Sequence, residues 1–187
     1  MKTICCFCSS SDAVGKQYFD IANELGSLIG SKRYVLVYGG TTVGLMGQLA
    51  SSVKISGGKV IGVIPKTMKH VAKEDIDEVI WCKNLKERKE IMQQRSDSFI
   101  ALPGGFGTLE EVMEILVLKQ LNHHNKPVIF LDVNGFFSDL LQFFERIYKE
   151  RFAKENYREY YHFERSPELA IAFIENYNPP APESKWF

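Results

Sequence analysis

Short apolar runs, several rich in β-branched residues, alternate with longer segments of helical period along nearly the whole chain. This alternation limits the fold more than any other feature of the sequence. Residues 4–7, 34–38, 60–64, 98–102 and 128–131 read as strands, with shorter candidates at 79–81 and 160–163. Between them, Tyr18, Ile21, Ala22, Leu25, Leu28 and Ile29 recur at helical spacing, as do Leu45, Met46, Leu49 and Val53. Further helices are predicted over 85–95, 108–121 and 136–151. A last helix opens at Ser166-Pro167-Glu168, an N-cap followed by proline at the first helical position. Residues 66–76 read as polar loop, and 179–187 as a Pro-rich tail beyond one domain spanning 1–178. Strands separated by helices of this length predict a parallel sheet covered on both faces, a doubly wound α/β single domain.

The 187 residues suit one domain, and 23 Lys and Arg balance 23 Asp and Glu. A neutral chain offers no field for a polyanion to follow, so neither nucleic acid nor a membrane surface is expected as a partner. A small anion needs only a local site and stays open. Every apolar run falls short of the roughly 18 residues of a membrane span. The N-terminus reads as a first strand rather than a secretory leader. Cys5, Cys6 and Cys8 crowd into that strand, and Cys82 stands apart. Cys5 and Cys8 spell C-x-x-C, but a zinc site needs two more ligands and a redox motif belongs at a helix start. Reduced cysteines acting as small buried hydrophobes in a cytoplasmic protein are the expectation, with no metal and no cofactor.

In parallel sheets, ligands bind beyond the carboxyl ends of the strands. Three such ends carry small or glycine-rich turns: Cys8 to Ser11 with Ser10, Gly39 to Gly47 with Gly40, and Pro103 to Thr108 with Gly104, Gly105, Phe106 and Gly107. Turns of this kind point backbone N–H groups at a ligand, and the helix that follows favours an anion. Each alone is an ordinary tight turn, whereas three on one edge point to a phosphate-bearing ligand. There is no G-x-x-x-x-G-K-[ST], and the dinucleotide fingerprint lacks its third glycine, so neither a P-loop nor an NAD site is expected.

Thr108-Leu109-Glu110-Glu111 has two readings. As a T-x-x-E capping box it is explained by local structure alone. As a pair of acids after the richest glycine turn, it brings a carboxylate within reach of a sugar or a water. Arg88 sits at helical spacing from Leu85 and Met92. It either snorkels or aims at an anion or carboxylate. Lys89 beside it adds to a locally basic segment. The helix at 108–121 is apolar nearly all round. One face packs on the sheet, and the other is covered by a second subunit, the favoured reading, or by the C-terminal segment. His123-His124 reads as a solvated helix end.

Together these residues resemble the LONELY GUY (LOG) family of cytokinin-activating phosphoribohydrolases. The family signature P-G-G-x-G-T-x-x-E stands here as Pro103-Gly104-Gly105-Phe106-Gly107-Thr108-Leu109-Glu110-Glu111. The family's upstream Arg-Lys pair followed by Met matches Arg88-Lys89 and Met92. Tyr38-Gly39-Gly40, Val43 to Gly47, Ile61 to Lys66, Phe99 to Leu102 and Lys126-Pro127 match as well, so the similarity runs from about residue 4 to about residue 151. The resemblance implies a Rossmann-like homodimer acting on a small nucleotide. The implied reaction hydrolyses the N-glycosidic bond of AMP or a cytokinin riboside 5′-monophosphate, releasing free base and ribose 5-phosphate. Arg88 and Glu111 are implied as catalytic, and Gly104, Gly105, Gly107 and Thr108 as the phosphate loop. Lys89, Phe106, Ser10, Gly40 and Met92 complete the expected substrate-binding set.

Ser9 and Thr41 replace family glycines, and Leu85-Lys86 and Leu118-Lys119-Gln120 also depart from the family pattern. These departures bear on substrate preference more than on reaction type. Nothing in the sequence suggests the pyridoxal phosphate site that the family's other label, possible lysine decarboxylase, would need. The alternatives are a general nucleotide 5′-monophosphate nucleosidase and a non-catalytic carrier of a phosphorylated ligand such as the molybdenum cofactor.

Overall fold

The computed structural model describes residues 1–73 and 75–181. Among them run seven strands: β1 Thr3–Phe7, β2 Val35–Tyr38, β3 Lys59–Pro65, β4 Glu78–Cys82, β5 Ser98–Ala101, β6 Val128–Leu131 and β7 His162–Glu164. They form one sheet in the order β4-β3-β2-β1-β5-β6-β7, with every pairing parallel. The helices are α1 Lys16–Ser31, α2 Gly44–Ile55, α3 Leu85–Gln94, α4 Phe106–Gln120, α5 Ser138–Lys149 and α6 Pro167–Glu175. Ser166 caps α6, its hydroxyl accepting from Leu169 N at 3.3 Å. The expected doubly wound α/β architecture is the one observed.

The two-residue period of a strand creates two cores. Ile4, Cys6 and Cys8 face one way and join residues of α1, α2 and α6. Cys5 and Phe7 face the other way and join Met92 of α3, Val112 and Leu116 of α4, and Phe144 of α5. All four cysteines are buried with free thiols. Burial pushes the thiols of Cys5, Cys6 and Cys8 well up, which makes them inert packing groups. Leu25, Ile29, Leu49 and Val53 are fully buried between α1 and α2, each contributing about 1.5–3 kcal/mol of transfer free energy. The helices approach this closely because Gly26 and Gly30 of α1 face Ser52 of α2 and Ser56 just after it. A Cβ on either glycine would fall 2.6 Å from the serine Cβ opposite.

Several local expectations are corrected. α4 begins at Phe106 with Gly105 in the N-cap position and no side-chain cap bond. Thr108 therefore lies inside the first turn, and T-x-x-E is not a capping box here. Residues 66–76 hold a 3-10 segment, Lys66–Val71, in the β3–β4 crossover. α5 starts only at Ser138, because Asn134 (φ 53) and Gly135 (φ 74) take left-handed backbone just before it. Tyr160 belongs to the 3-10 segment Glu155–Tyr160, and β7 follows it. On α3 the expected inward stripe fails at Leu85, which is 58% exposed. Residues 182–187 of the tail lie outside the described residues.

His124 is buried rather than solvated. Its Nδ1 accepts from Lys126 N at 3.2 Å, which leaves Nε2 to donate to Ile115 O at 2.9 Å. That is a neutral ring, and burial pushes its pKa down to about 4.

The outer face of α4 is partly covered by the chain itself. Leu116 is buried beside Tyr157 and Tyr160, while Val117 and Leu121 remain 42% and 40% exposed. Lys119 fastens this cover. Its buried Nζ donates to Lys126 O (2.8 Å), Tyr160 O (3.0 Å) and Tyr177 Oη (2.7 Å). Among the described residues, no helix is long and apolar enough to cross a membrane, and no group of three His, Cys, Asp or Glu is placed to hold a metal ion.

Lys119→Met keeps the apolar stem but strands the acceptors, so the orphaned groups outweigh the relief of burying no charge. We expect unfolding free energy to drop by about 2 kcal/mol in urea denaturation.

Candidate active site

β1 lies between β2 and β5, so the chain leaves β1 toward one side of the sheet and later returns to extend the other. Such a reversal opens a crevice at the carboxyl ends of the two central strands. Here the crevice is a cleft of about 580 Å3 where all three small-residue turns meet. The turns are locked together, with Ser9 N donating to Pro103 O at 3.3 Å and Leu45 N to Ser9 O at 3.0 Å.

The turns are not equivalent as anion sites. At the start of α2, Gly44 N is already taken by Asp12 Oδ1 at 2.8 Å, and the next amide is taken by Ser9 O. A carboxylate therefore occupies the positive end of that helix. At the start of α4, the Gly105 N-cap makes no side-chain cap bond, and Gly105, Phe106, Gly107 and Thr108 all line the cleft. First-turn amides of a helix have no partner within the helix, so this turn is the one that offers donors and dipole to an anion.

Arg88 and Glu111 meet on one wall. Arg88 Nη1 lies 3.1 Å from Glu111 Oε1, with 11% and 13% of the two side chains exposed. Arg88 Nε donates to Val63 O of β3 at 3.0 Å. The guanidinium also passes over Gly39 at the end of β2, where an added Cβ would sit 2.0 Å from Nη2. Gly39 thus leaves the space through which Arg88 reaches the sheet edge. Burial raises the Glu111 pKa, the Arg88 charge opposes the rise, and the Glu110 charge adds to it. The net result is a carboxyl held above its usual range, a property found at functional sites.

Of the expected site residues, Arg88, Glu111, Ser10, Gly105, Phe106, Gly107 and Thr108 line the cleft. Four lie elsewhere. Lys89 faces a neighbouring cleft and pairs with Glu110 and Glu114. Burial disfavours its charge, but the two carboxylates outweigh this and raise its pKa. Gly104 is empty of a side chain so that the Thr108 hydroxyl can fold back over it. Gly40, at φ +76, packs against β3. Met92 is 1% exposed in the core beneath the sheet.

The cleft also contains Val43, Met46, Met68, His70 and Val71, which were not singled out as site residues. The last three come from the crossover segment Lys66–Val71. Its position depends on long-range pairing: Thr42 N donates to Val71 O at 3.0 Å, Lys73 N to Gly40 O at 2.8 Å, and Thr41 bridges Ala72. No local sequence signal carries that information. The substituted positions Ser9 and Thr41 turn their hydroxyls onto their own turns. Ser9 Oγ accepts from Ser11 N at 3.0 Å, and Thr41 Oγ1 contacts Met46 Sδ at 3.6 Å.

A protein-family model described as "Possible lysine decarboxylase" matches residues 46–174. Two Arabidopsis thaliana proteins named cytokinin riboside 5′-monophosphate phosphoribohydrolase are 41% and 39% identical to this chain. Each comparison covers 180 residues, 95% of this chain, and 84% and 79% of the respective relative. Among solved structures, the molybdenum cofactor binding protein from Rippkaea orientalis superposes with a TM-score of 0.72 at 27% identity, covering 94% of this chain and 96% of the other.

Removing the Arg88 charge leaves burial and the neighbouring acids acting on Glu111. In Arg88→Gln we therefore expect the Glu111 carboxyl to titrate at higher pH than in the parent protein. NMR of protein carrying 13C-labelled glutamate, with Glu111→Gln to assign the signal, measures it. A shift to lower pH contradicts the electrostatic account.

Proposed function

The chain belongs to the LONELY GUY family, and from that premise we propose that it is a phosphoribohydrolase of AMP or cytokinin riboside 5′-monophosphates. Water cleaves the N-glycosidic bond, giving free base and ribose 5-phosphate. The observation that carries this reading is the Arg88–Glu111 pair standing in the same cleft as the uncapped first turn of α4. A binding module for a phosphorylated ligand needs the second feature; only a hydrolase also needs a carboxyl of raised pKa beside it.

The parts act in sequence. The amides at Gly105 to Thr108 hold the 5′-phosphate, and this remote binding energy fixes the sugar against the wall. Departure of the base builds positive charge on the ribose, as in glycoside cleavage. Glu111 answers that charge and takes the proton of the attacking water, a task its raised pKa suits. Arg88, fixed by Val63 O and by the space over Gly39, orients Glu111 and the ribose hydroxyls. Tight binding of nucleotide or pterin without turnover would mark the carrier reading, suggested by the fold of the Rippkaea protein.

We further propose a homodimer that buries the exposed part of α4, where Val117 lines the groove between α4 and α5 and Leu121 follows at the helix end. Light scattering should give twice the chain mass, and Val117→Glu should shift the protein toward monomer.

Incubation with AMP and with isopentenyladenosine 5′-monophosphate should release free base. Glu111→Gln should lower kcat by about 100-fold or more with little change in nucleotide affinity. On the acid side, kcat/KM should fall as Glu111 is protonated, at a pH above the ordinary carboxylate value of 4.5. If the parent protein cleaves neither nucleotide, or if Glu111→Gln cleaves them as fast as the parent, the proposal fails.

A further inference from the structure

Breaking the bond from C1′ to N9 leaves the electron pair on the base, and a purine departs poorly as an anion. A proton supplied to a ring nitrogen during the step makes the leaving group neutral. Among the described residues lining the cleft, few can supply one. Arg88 keeps its protons, and Glu111 is engaged with the water. Burial raises the Cys8 thiol pKa far above neutrality, so it too keeps its proton. The hydroxyls of Ser9, Ser10, Ser11, Thr41 and Thr108 are too weakly acidic. The remaining candidate is the His70 imidazole, the side chain most often used as a general acid.

Its place in the cleft is set by backbone. Lys66–Val71 is clamped to the β2 turn by the Thr42–Val71 and Lys73–Gly40 hydrogen bonds on either side of the Thr41–Ala72 bridge. The same part of the lining contributes Val43, Met46, Met68 and Val71, an apolar wall suited to a flat base. With the phosphate on the α4 turn and the sugar at Glu111, the base is left to this wall, and among the described residues His70 is its one ionisable side chain.

From this geometry we infer that His70 is the acid that protonates the departing base, an inference that rests on the hydrolase reading. The imidazolium N–H passes its proton to purine N7 as C1′–N9 breaks and the pair moves onto the base. The water oxygen bonds to C1′, and its proton goes to Glu111. Neutral base and ribose 5-phosphate leave behind a neutral imidazole and a protonated Glu111, and exchange with solvent resets both.

His70 is exposed, so His70→Gln should melt with the parent protein. For AMP its kcat should fall by about 100-fold, KM should stay within about threefold, and added imidazole should restore rate to the variant but not to the parent. The parent should cleave the 7-deaza analogue of AMP, in which N7 is carbon, at least about 100-fold more slowly than AMP. A variant kcat close to the parent's, no rescue by imidazole, or rapid cleavage of the 7-deaza analogue each overturns the role of His70 and leaves the hydrolase reading standing. A parent protein that cleaves no 5′-monophosphate overturns the hydrolase reading, and this inference with it.

Discussion

Everything around the cleft depends on keeping one carboxyl, Glu111, almost out of water beside one guanidinium. Desolvating both ions costs several kcal/mol, and their attraction returns that only with good geometry and satisfied neighbours. Arg88 meets those conditions: Nε is bound by Val63 O, Nη1 faces Glu111, and the rest of the group lies in the space over Gly39. The ion pair thus couples α3, α4 and the ends of β2 and β3. As a source of stability it is a poor choice, because a well-packed apolar pair does as well. As a way of holding a carboxyl with a raised pKa in a fixed place, it is an effective one.

The same reasoning separates the two glycine turns that precede helices. Both present first-turn amides, but the α2 turn is closed by Asp12 and Ser9 while the α4 turn is left uncapped. A closed helix start stabilises the fold, and an uncapped one stores binding capacity for an anion. The overall charge balance fits this arrangement. A 5′-monophosphate needs a few oriented dipoles and one cation, not a basic surface.

The sheet was readable from the sequence because its information is local. Alternating apolar periods located the strands, and 128–131 matched to the residue. The glycine turns were readable as a shared edge because parallel strands put all their carboxyl ends on the same side. What was not readable depends on register between distant segments. T-x-x-E looked like a capping box because nothing local said that Gly105, rather than Thr108, breaks into helix. His124 looked solvated because its acceptor is the carbonyl of Ile115, nine residues back. Lys66–Val71 looked like a polar loop because its pairing partner is the β2 turn, about 30 residues earlier in the chain. Met92 and Gly40 shared motifs with cleft residues, yet a helix or a tight turn points neighbouring residues in different directions, so membership of a motif does not imply contact with the ligand.

That distinction also bears on the substituted glycines. Side chains at 9 and 41 would be expected to narrow the pocket, but both hydroxyls turn onto their own turns, and Thr41 is 1% exposed. Both residues line the cleft, with their hydroxyls bonded locally rather than reaching across it. In the proposed reading, selectivity for the base falls to the side chains that the crossover brings to the cleft, Met68, His70 and Val71, together with Val43 and Met46. Thioethers and methyl groups accept many flat rings and discriminate weakly among them, since one methylene is worth only about 1–3 kcal/mol. A hydrogen-bonding edge discriminates more strongly, because a mismatched partner leaves a buried polar group unpaired. In the proposed arrangement the first turn of α4 and the Arg88–Glu111 wall set the reaction, and the crossover segment sets the choice of base.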